Sequence, residues 1–237
     1  MFDYERQNSI TEMFKRRSSL TTAEIAARLF VSDATVRRDL TRLEQAGLLK
    51  RVHGGAVFIS GPESEIPLVL RDNAHDVEKQ NIASKAIRYI KDGYTIMLDA
   101  SSTVYRLIPL LGQFTGLTVV TNGPKAVLEL ANMHIKTLST GGSLLENSLA
   151  FVGRQAEQFV ENINADVLFL SCRGISEEGY LTDSSLEESN IRKAMLKHAK
   201  KSILLCDSSK MGIGYTYNIA RLEELNVVIS EKEVCVK

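Results

Sequence analysis

The residues whose types and spacing carry chemistry fall into two groups. The first lies within 32–56: Ser32-Asp33-Ala34-Thr35-Val36-Arg37-Arg38-Asp39-Leu40, then Thr41, Arg42 and Leu43, then Gly47 and the run Lys50-Arg51-Val52-His53-Gly54-Gly55-Ala56. Arginine offers a planar fork of donors to guanine edges or phosphate, while Ser and Thr bond phosphate or touch a thymine methyl. Ser32, Thr35, Arg37, Arg38, Thr41 and Arg42 on one element, with Lys50, Arg51 and His53 on the next, therefore have the chemistry of contact with double-stranded DNA. The second group follows a series of apolar runs: Asp99, Ser101, Ser102 and Thr103; Thr121 and Asn122; Gly141 and Gly142; Arg173 and Gly174; Asp207 and Lys210. Hydroxyls, glycines and the amides that open helices suit an anion such as phosphate. Lys210 and Arg173 supply positive charge, and Asp99 is suited to accept from sugar hydroxyls. Each loop has a plainer reading as a turn or cap, and Lys210 taken alone reads as a solvated lysine.

Both groups need elements to position them. Val36, Leu40 and Leu43 form one apolar stripe of a helix, capped by Ser32 and ended by Gly47. Arg37, Arg38 and Arg42 face away from that stripe. Thr21-Thr22-Ala23-Glu24 is a capping box that opens an earlier helix, with Ile25 and Leu29 on its buried side. Only Phe30 and Val31 separate the two, a spacing that predicts a helix-turn-helix, and the glycine hairpin after it reads as a wing. A solvated basic helix face is the alternative; cap, turn, basic face and wing agree on DNA.

The next segment, Ser60-Gly61-Pro62-Glu63-Ser64-Glu65-Ile66-Pro67, has no periodicity and reads as a connector. The expected organisation is a DNA-binding domain at 1–57, a linker at 58–67 and a second domain at 68–237. In the last, apolar runs at 95–98, 117–120, 135–138, 167–170, 202–205 and 227–229 alternate with helical patterns at 78–89, 104–111, 124–131, 156–162 and 186–200. That alternation predicts an α/β domain with a mainly parallel sheet, whose ligands bind beyond the carboxyl ends of the strands. Glu187, Glu188, Asn190, Arg192 and Lys193 read as an exposed helix face.

Composition narrows the function. The chain has 237 residues with 29 basic and 29 acidic side chains, so no global charge draws it to nucleic acid. Residues 1–55 nevertheless hold 10 basic against 7 acidic side chains, an excess where DNA contact is expected. No apolar run is long enough to span a bilayer, and the expectation is a cytoplasmic protein. Cys172, Cys206 and Cys235 show no metal-ligand or redox spacing; Cys172 and Cys206 lie in apolar runs and read as buried small residues. No cofactor and no metal is expected.

The core Thr35-Val36-Arg37-Arg38-Asp39-Leu40 together with Arg51-Val52-His53-Gly54-Gly55-Ala56 resembles the signature of the DeoR family of bacterial transcriptional regulators, and the resemblance extends over nearly the whole chain. It implies an N-terminal winged helix-turn-helix, a C-terminal sugar-phosphate sensor similar in fold to ribose-5-phosphate isomerase, and usually repression of a carbohydrate operon relieved by the phosphorylated sugar. Ser101 stands where the family often has glycine in an Asp-x-Gly-Thr-Thr loop. Ser171-Cys172-Arg173-Gly174 stands where the isomerase has an acidic motif. An enediol isomerisation needs a placed base, so this departure disfavours the alternative of an isomerase-like enzyme with an appended DNA-binding arm. A third reading is a DNA-binding architectural protein whose second domain only dimerises. Palindromic reading by one short helix per chain predicts a homodimer or homotetramer.

Overall fold

The computed structural model describes residues 3–17, 19–45, 48–58 and 75–236. Gly47 and nearly all of the expected linker lie outside these. The chain divides into two compact units, Met1–Ala74 and His75–Lys237.

The first unit contains α1 (Asp3–Arg16), β1 (Ser19–Thr21), α2 (Thr22–Leu29), α3 (Asp33–Gln45), β2 (Leu49–Val52) and β3 (Gly55–Phe58). The capping box forms: Thr21 Oγ1 accepts from the Glu24 amide at 3.1 Å, and Glu24 Oε2 accepts from the Thr21 amide at 2.8 Å. Phe30 ends α2 in left-handed geometry, with φ 55°, and Ser32 Oγ accepts from the Thr35 amide at 3.2 Å to open α3. Val36, Leu40 and Leu43 are buried against Ile25, Leu20, Leu48, Leu49 and Ala56. Helix α1, not among the elements expected from the sequence, adds Ile10, Met13 and Phe14 to this core. Their i, i+3, i+4 spacing was its only periodic signal, little more than one turn in a polar segment.

The second unit runs α4 (Asp76–Ala86), β4 (Thr95–Leu98), α5 (Ser102–Tyr105), β5 (Thr118–Thr121), α6 (Pro124–Asn132), β6 (Lys136–Ser139), β7 (Ser143–Leu145), β8 (Ala150–Val152), α7 (Arg154–Glu161), β9 (Val167–Leu170), β10 (Gly174–Ile175), β11 (Tyr180–Asp183), α8 (Leu186–Lys197), β12 (Ser202–Leu205), β13 (Tyr217–Arg221), β14 (Val227–Ile229) and β15 (Val234–Val236). The six anticipated strands are the six parallel members of one sheet, ordered β15-β14-β12-β9-β4-β5-β6 with β15 antiparallel at the edge.

Alternate residues of each strand serve opposite faces. Ile96, Leu98, Val119, Phe169 and Ile203 join Ile82, Val104 and Leu130 of α4–α6 on one side. Met97, Val120, Leu168, Leu170 and Leu204 join Ala156, Val160, Ile191 and Met195 of α7 and α8 on the other. Burial on both faces is why these strands read as unbroken apolar runs.

Two expected helices are corrected. The one at 104–111 is broken: α5 stops at Tyr105, and a separate 3-10 turn spans Ile108–Gln113. Pro109 has no amide to donate to the Tyr105 carbonyl, so a continuous α-helix cannot run through it. The one expected to reach residue 200 stops at Lys197, because Ala199 bridges to Ala165 and the Lys200 amide donates to the Ala165 carbonyl, turning the chain towards β12.

Candidate functional site

In the first unit α3 and the β2–β3 hairpin form one basic surface. Arg37, Arg38, Arg42, Lys50, Arg51 and His53 are exposed, as is Ser32, with Thr35 and Thr41 half-buried. Internal bonds fix the hairpin on the helix. The Arg51 amide donates to Glu44 Oε1 at 2.8 Å, and its guanidinium donates to Thr41 Oγ1 at 2.9 Å. Thr41 in turn donates to the Arg37 carbonyl at 2.9 Å, and the Ser32 and Thr35 hydroxyls share a hydrogen bond of 2.9 Å.

The two glycines of the wing have separate reasons. Gly54 takes φ 80° at the tip, and its carbonyl accepts from the Thr22 amide at 2.8 Å, pinning the tip to the start of α2. A Cβ on Gly55 would lie 2.2 Å from the Leu20 carbonyl oxygen, so β3 could not pair with β1. Beneath this surface Asp39 of α3 is fully buried and accepts from Arg6 of α1 at 2.5 and 3.2 Å.

In the second unit the sheet topology sets the site. The chain steps outward through β4, β5 and β6, then crosses back to β9 on the other side of β4 and continues to β12 and β14. The order reverses between β4 and β9, and crevices at such a switch point are where open parallel sheets bind ligands. The sequence alone gave five similar loops. The sheet arranges them in the order β12, β9, β4, β5, β6 along its carboxyl edge.

Bonds link these loops in two runs, β12 to β9 to β4 and β5 to β6. Lys210 Nζ donates to Ser171 Oγ at 2.9 Å, and the Ser171 amide donates to Asp99 Oδ2 at 3.1 Å. The Thr140 amide donates to the Thr121 carbonyl at 3.1 Å. Lys210 is half-buried and lies 3.8 Å from Asp207. Burial pushes the Asp207 carboxyl up, but Lys210 and the Ser209 hydroxyl outweigh it and hold the group below its ordinary value.

The other anticipated residues take mixed positions. Ser101, Ser102 and Thr103 are all buried at the start of α5. Ser101 is its cap, its hydroxyl accepting from the Val104 amide and its own amide donating to Asp99 Oδ1 at 3.1 Å. Thr121 is buried, with Oγ1 accepting from the Gly123 amide at 3.1 Å. Gly141 and Gly142 make the turn into β7, the first half-buried and the second exposed. The Arg173 guanidinium lies over the Tyr215 ring, 5.2 Å from its centroid. Gly174 is buried where a Cβ would meet the Ile213 carbonyl oxygen at 2.2 Å.

The charge at the centre was not legible in the sequence. Arg192 and Glu188, read as part of an exposed face, are each only 3% exposed. Arg192 donates to Asp99 Oδ2 at 2.8 Å, to Asp183 Oδ2 at 2.8 Å and to Glu188 Oε1 at 3.1 Å. Burial alone would lower the guanidinium pKa, but the three carboxylates raise it well above its ordinary value. Asp99 is therefore already engaged by Arg192 and two amides, and it ties α8 to the switch point. The i, i+4 pair Glu188–Arg192 was visible in the sequence, but nothing local distinguished it from a surface pair.

Family models match both units: a DeoR-like helix-turn-helix domain over residues 6–61 and a DeoR C terminal sensor domain over residues 74–232. Among curated proteins, the uncharacterized HTH-type transcriptional regulator YulB of Bacillus subtilis is 40% identical over 96% of this chain and 88% of its own length. The lactose phosphotransferase system repressor of Staphylococcus epidermidis is 33% identical over 98% of this chain and 93% of its own. The L-fucose operon activator of Escherichia coli is 33% identical over 96% and 94%. Among solved structures, eIF2B delta from Chaetomium thermophilum superposes with TM-score 0.51 at 19% identity, covering 69% of this chain and 59% of that one. A ribose 5-phosphate isomerase A from Methanocaldococcus jannaschii aligns at TM-score 0.44 and 18% identity, over 58% and 55%. The family is one of DNA-binding regulators and not of enzymes, and among the described residues no helix is long and apolar enough to cross a membrane. With a helix-turn-helix unit, a sensor unit and full-length relatives named as regulators, this chain belongs to the DeoR family of transcriptional regulators.

Proposed function

We propose that this regulator binds operator DNA as a homodimer or a pair of dimers in the cytoplasm, represses a carbohydrate-metabolism operon, and is released when a phosphorylated sugar occupies the carboxyl edge of the sensor sheet. The observation that carries the reading is the row of strand-end loops at the switch point, with Lys210 hydrogen-bonded to Ser171 beside the Asp99–Thr103 loop. A cation and a set of buried hydroxyls at a parallel-sheet crevice suit an anionic, hydroxyl-rich ligand. Relatives named for lactose and L-fucose systems support the carbohydrate class, and one of them is a repressor. Ligand acts by favouring a subunit arrangement in which the two α3 helices no longer match their half-sites.

The test is binding to DNA from the protein's own upstream region, with and without a panel of phosphorylated sugars. The expected result is specific binding released by one member. Sugar phosphates that bind the protein yet leave operator affinity unchanged would show that sensor and reader are not coupled. Reporter expression that falls when the regulator is deleted would overturn repression in favour of activation.

A further inference from the structure

We propose that Ser148, in the turn between β7 and β8, is a specificity-determining residue of the effector site, reading an uncharged hydroxyl of the ligand together with Thr103 and Asn122. The inference rests on the effector reading above and extends it to the sugar portion of the ligand. Among the described residues, Thr103 Oγ1, Asn122 Oδ1 and Ser148 Oγ are buried side-chain atoms without a hydrogen-bond partner. Buried polar groups are nearly always satisfied, so three orphans, on the segments that follow β4 and β5 and in the β7–β8 turn, mark places where a partner is missing.

The segments that carry them meet at Asn122. Its carbonyl accepts from the Phe151 amide at 2.7 Å, and its side-chain amide donates to the Phe151 carbonyl at 3.1 Å. That bond fixes the Asn122 side chain on the β7–β8 hairpin and leaves Oδ1 buried without a partner. Ser148 lies three residues before Phe151 on the same hairpin. It is fully buried, while Glu146 and Asn147 beside it are exposed. On the other side of Asn122, a Cβ on Gly123 would be 3.4 Å from Ala100, in the loop that leads to Thr103. The three groups bear no charge, and two of them can donate as well as accept. This is the chemistry of hydroxyl recognition, distinct from the cation at Lys210 that suits the phosphate. A site built to bond a hydroxyl rejects an analogue that lacks it.

The experiment is calorimetric titration of the full chain and its Ser148→Ala variant with inorganic phosphate and with the 5- and 6-phosphates of pentoses and hexoses, alongside thermal melting without ligand. The expected result has two parts. Affinity for the recognised sugar phosphate falls roughly tenfold while affinity for inorganic phosphate holds, the size of one lost hydrogen bond. The ligand-free variant melts no lower than the parent, because no internal partner is removed. Equal affinity for the sugar phosphate in both proteins, or a parallel loss for inorganic phosphate, would overturn the assignment while leaving the effector reading intact. A lower melting temperature in the absence of ligand would show a structural hydroxyl and also overturn it. If no phosphorylated sugar binds the unsubstituted protein, the effector reading itself fails, and this proposal with it.

Discussion

Arg192 shows how much one side chain can organise. Its guanidinium answers carboxylates from a strand end (Asp99), a second strand (Asp183) and its own helix (Glu188), all nearly free of solvent. Replacing it with Met leaves three buried carboxylates without their countercharge. Breaking such a pair costs about 3–5 kcal/mol, so Arg192→Met should lower the sensor's stability by at least that range, read by urea unfolding. Arg192→Lys should recover only part, since an ammonium cannot match the planar fork. A second residue-scale expectation concerns the thiols. Burial pushes Cys172 up to about 12 and Cys206 to about 11, so at pH 8 both are protonated and shielded, whereas Cys235 is exposed. Brief iodoacetamide treatment of the native protein should label Cys235 alone by mass spectrometry. Labelling at Cys172 would mean that the strand-end region opens readily.

Among the elements, α3 is held from beneath and from the side. From beneath comes the Arg6–Asp39 pair to α1; from the side comes the wing, locked by Arg51 on Thr41 and Glu44 and by the close β1–β3 pairing at Gly55. Arg6→Met should cost the first unit about 3–5 kcal/mol, because the fully buried Asp39 loses its cation. Gly55→Ala should displace β3 from β1 and misplace Lys50, Arg51 and His53. Amide hydrogen exchange should then quicken within 3–58 and not within 75–236, with operator binding weakened. Uniform quickening in both units would show that the effect of the substitution is not local to the wing. The helix-turn-helix was legible because its signals are local: a capping box, an Ser32 cap and an i, i+4, i+7 stripe. Helix α1 was not, because its role is to cover α3 and to answer Asp39, which no neighbour in sequence reveals.

At the scale of the molecule, the proposed function has two copies reading one palindrome. Salt dependence counts them. The slope of log affinity against log salt falls by about 0.9 for each phosphate contact removed. Lys50→Ala should therefore reduce the slope by about two if a dimer binds and by about one if a single chain does. An unchanged slope would take Lys50 out of the phosphate-contacting set.

The sequence by itself determined what short-range patterns encode. These are the basic capped helix and its wing, the six parallel strands as apolar runs, and the strand-end loops rich in Ser, Thr, Gly and Asp. Each is set by residues within a few positions of one another, through capping, periodicity and turn geometry. Only the tertiary structure decided how the loops are ordered along the sheet edge, because strand order follows from crossovers of dozens of residues and not from any one strand. It also decided which charges are buried. Glu188 and Arg192 look like a surface pair until Asp99, 93 positions earlier than Arg192, and Asp183 are brought against them. Ser148 looks like a turn residue until the hairpin that carries it is bonded to Asn122 through Phe151.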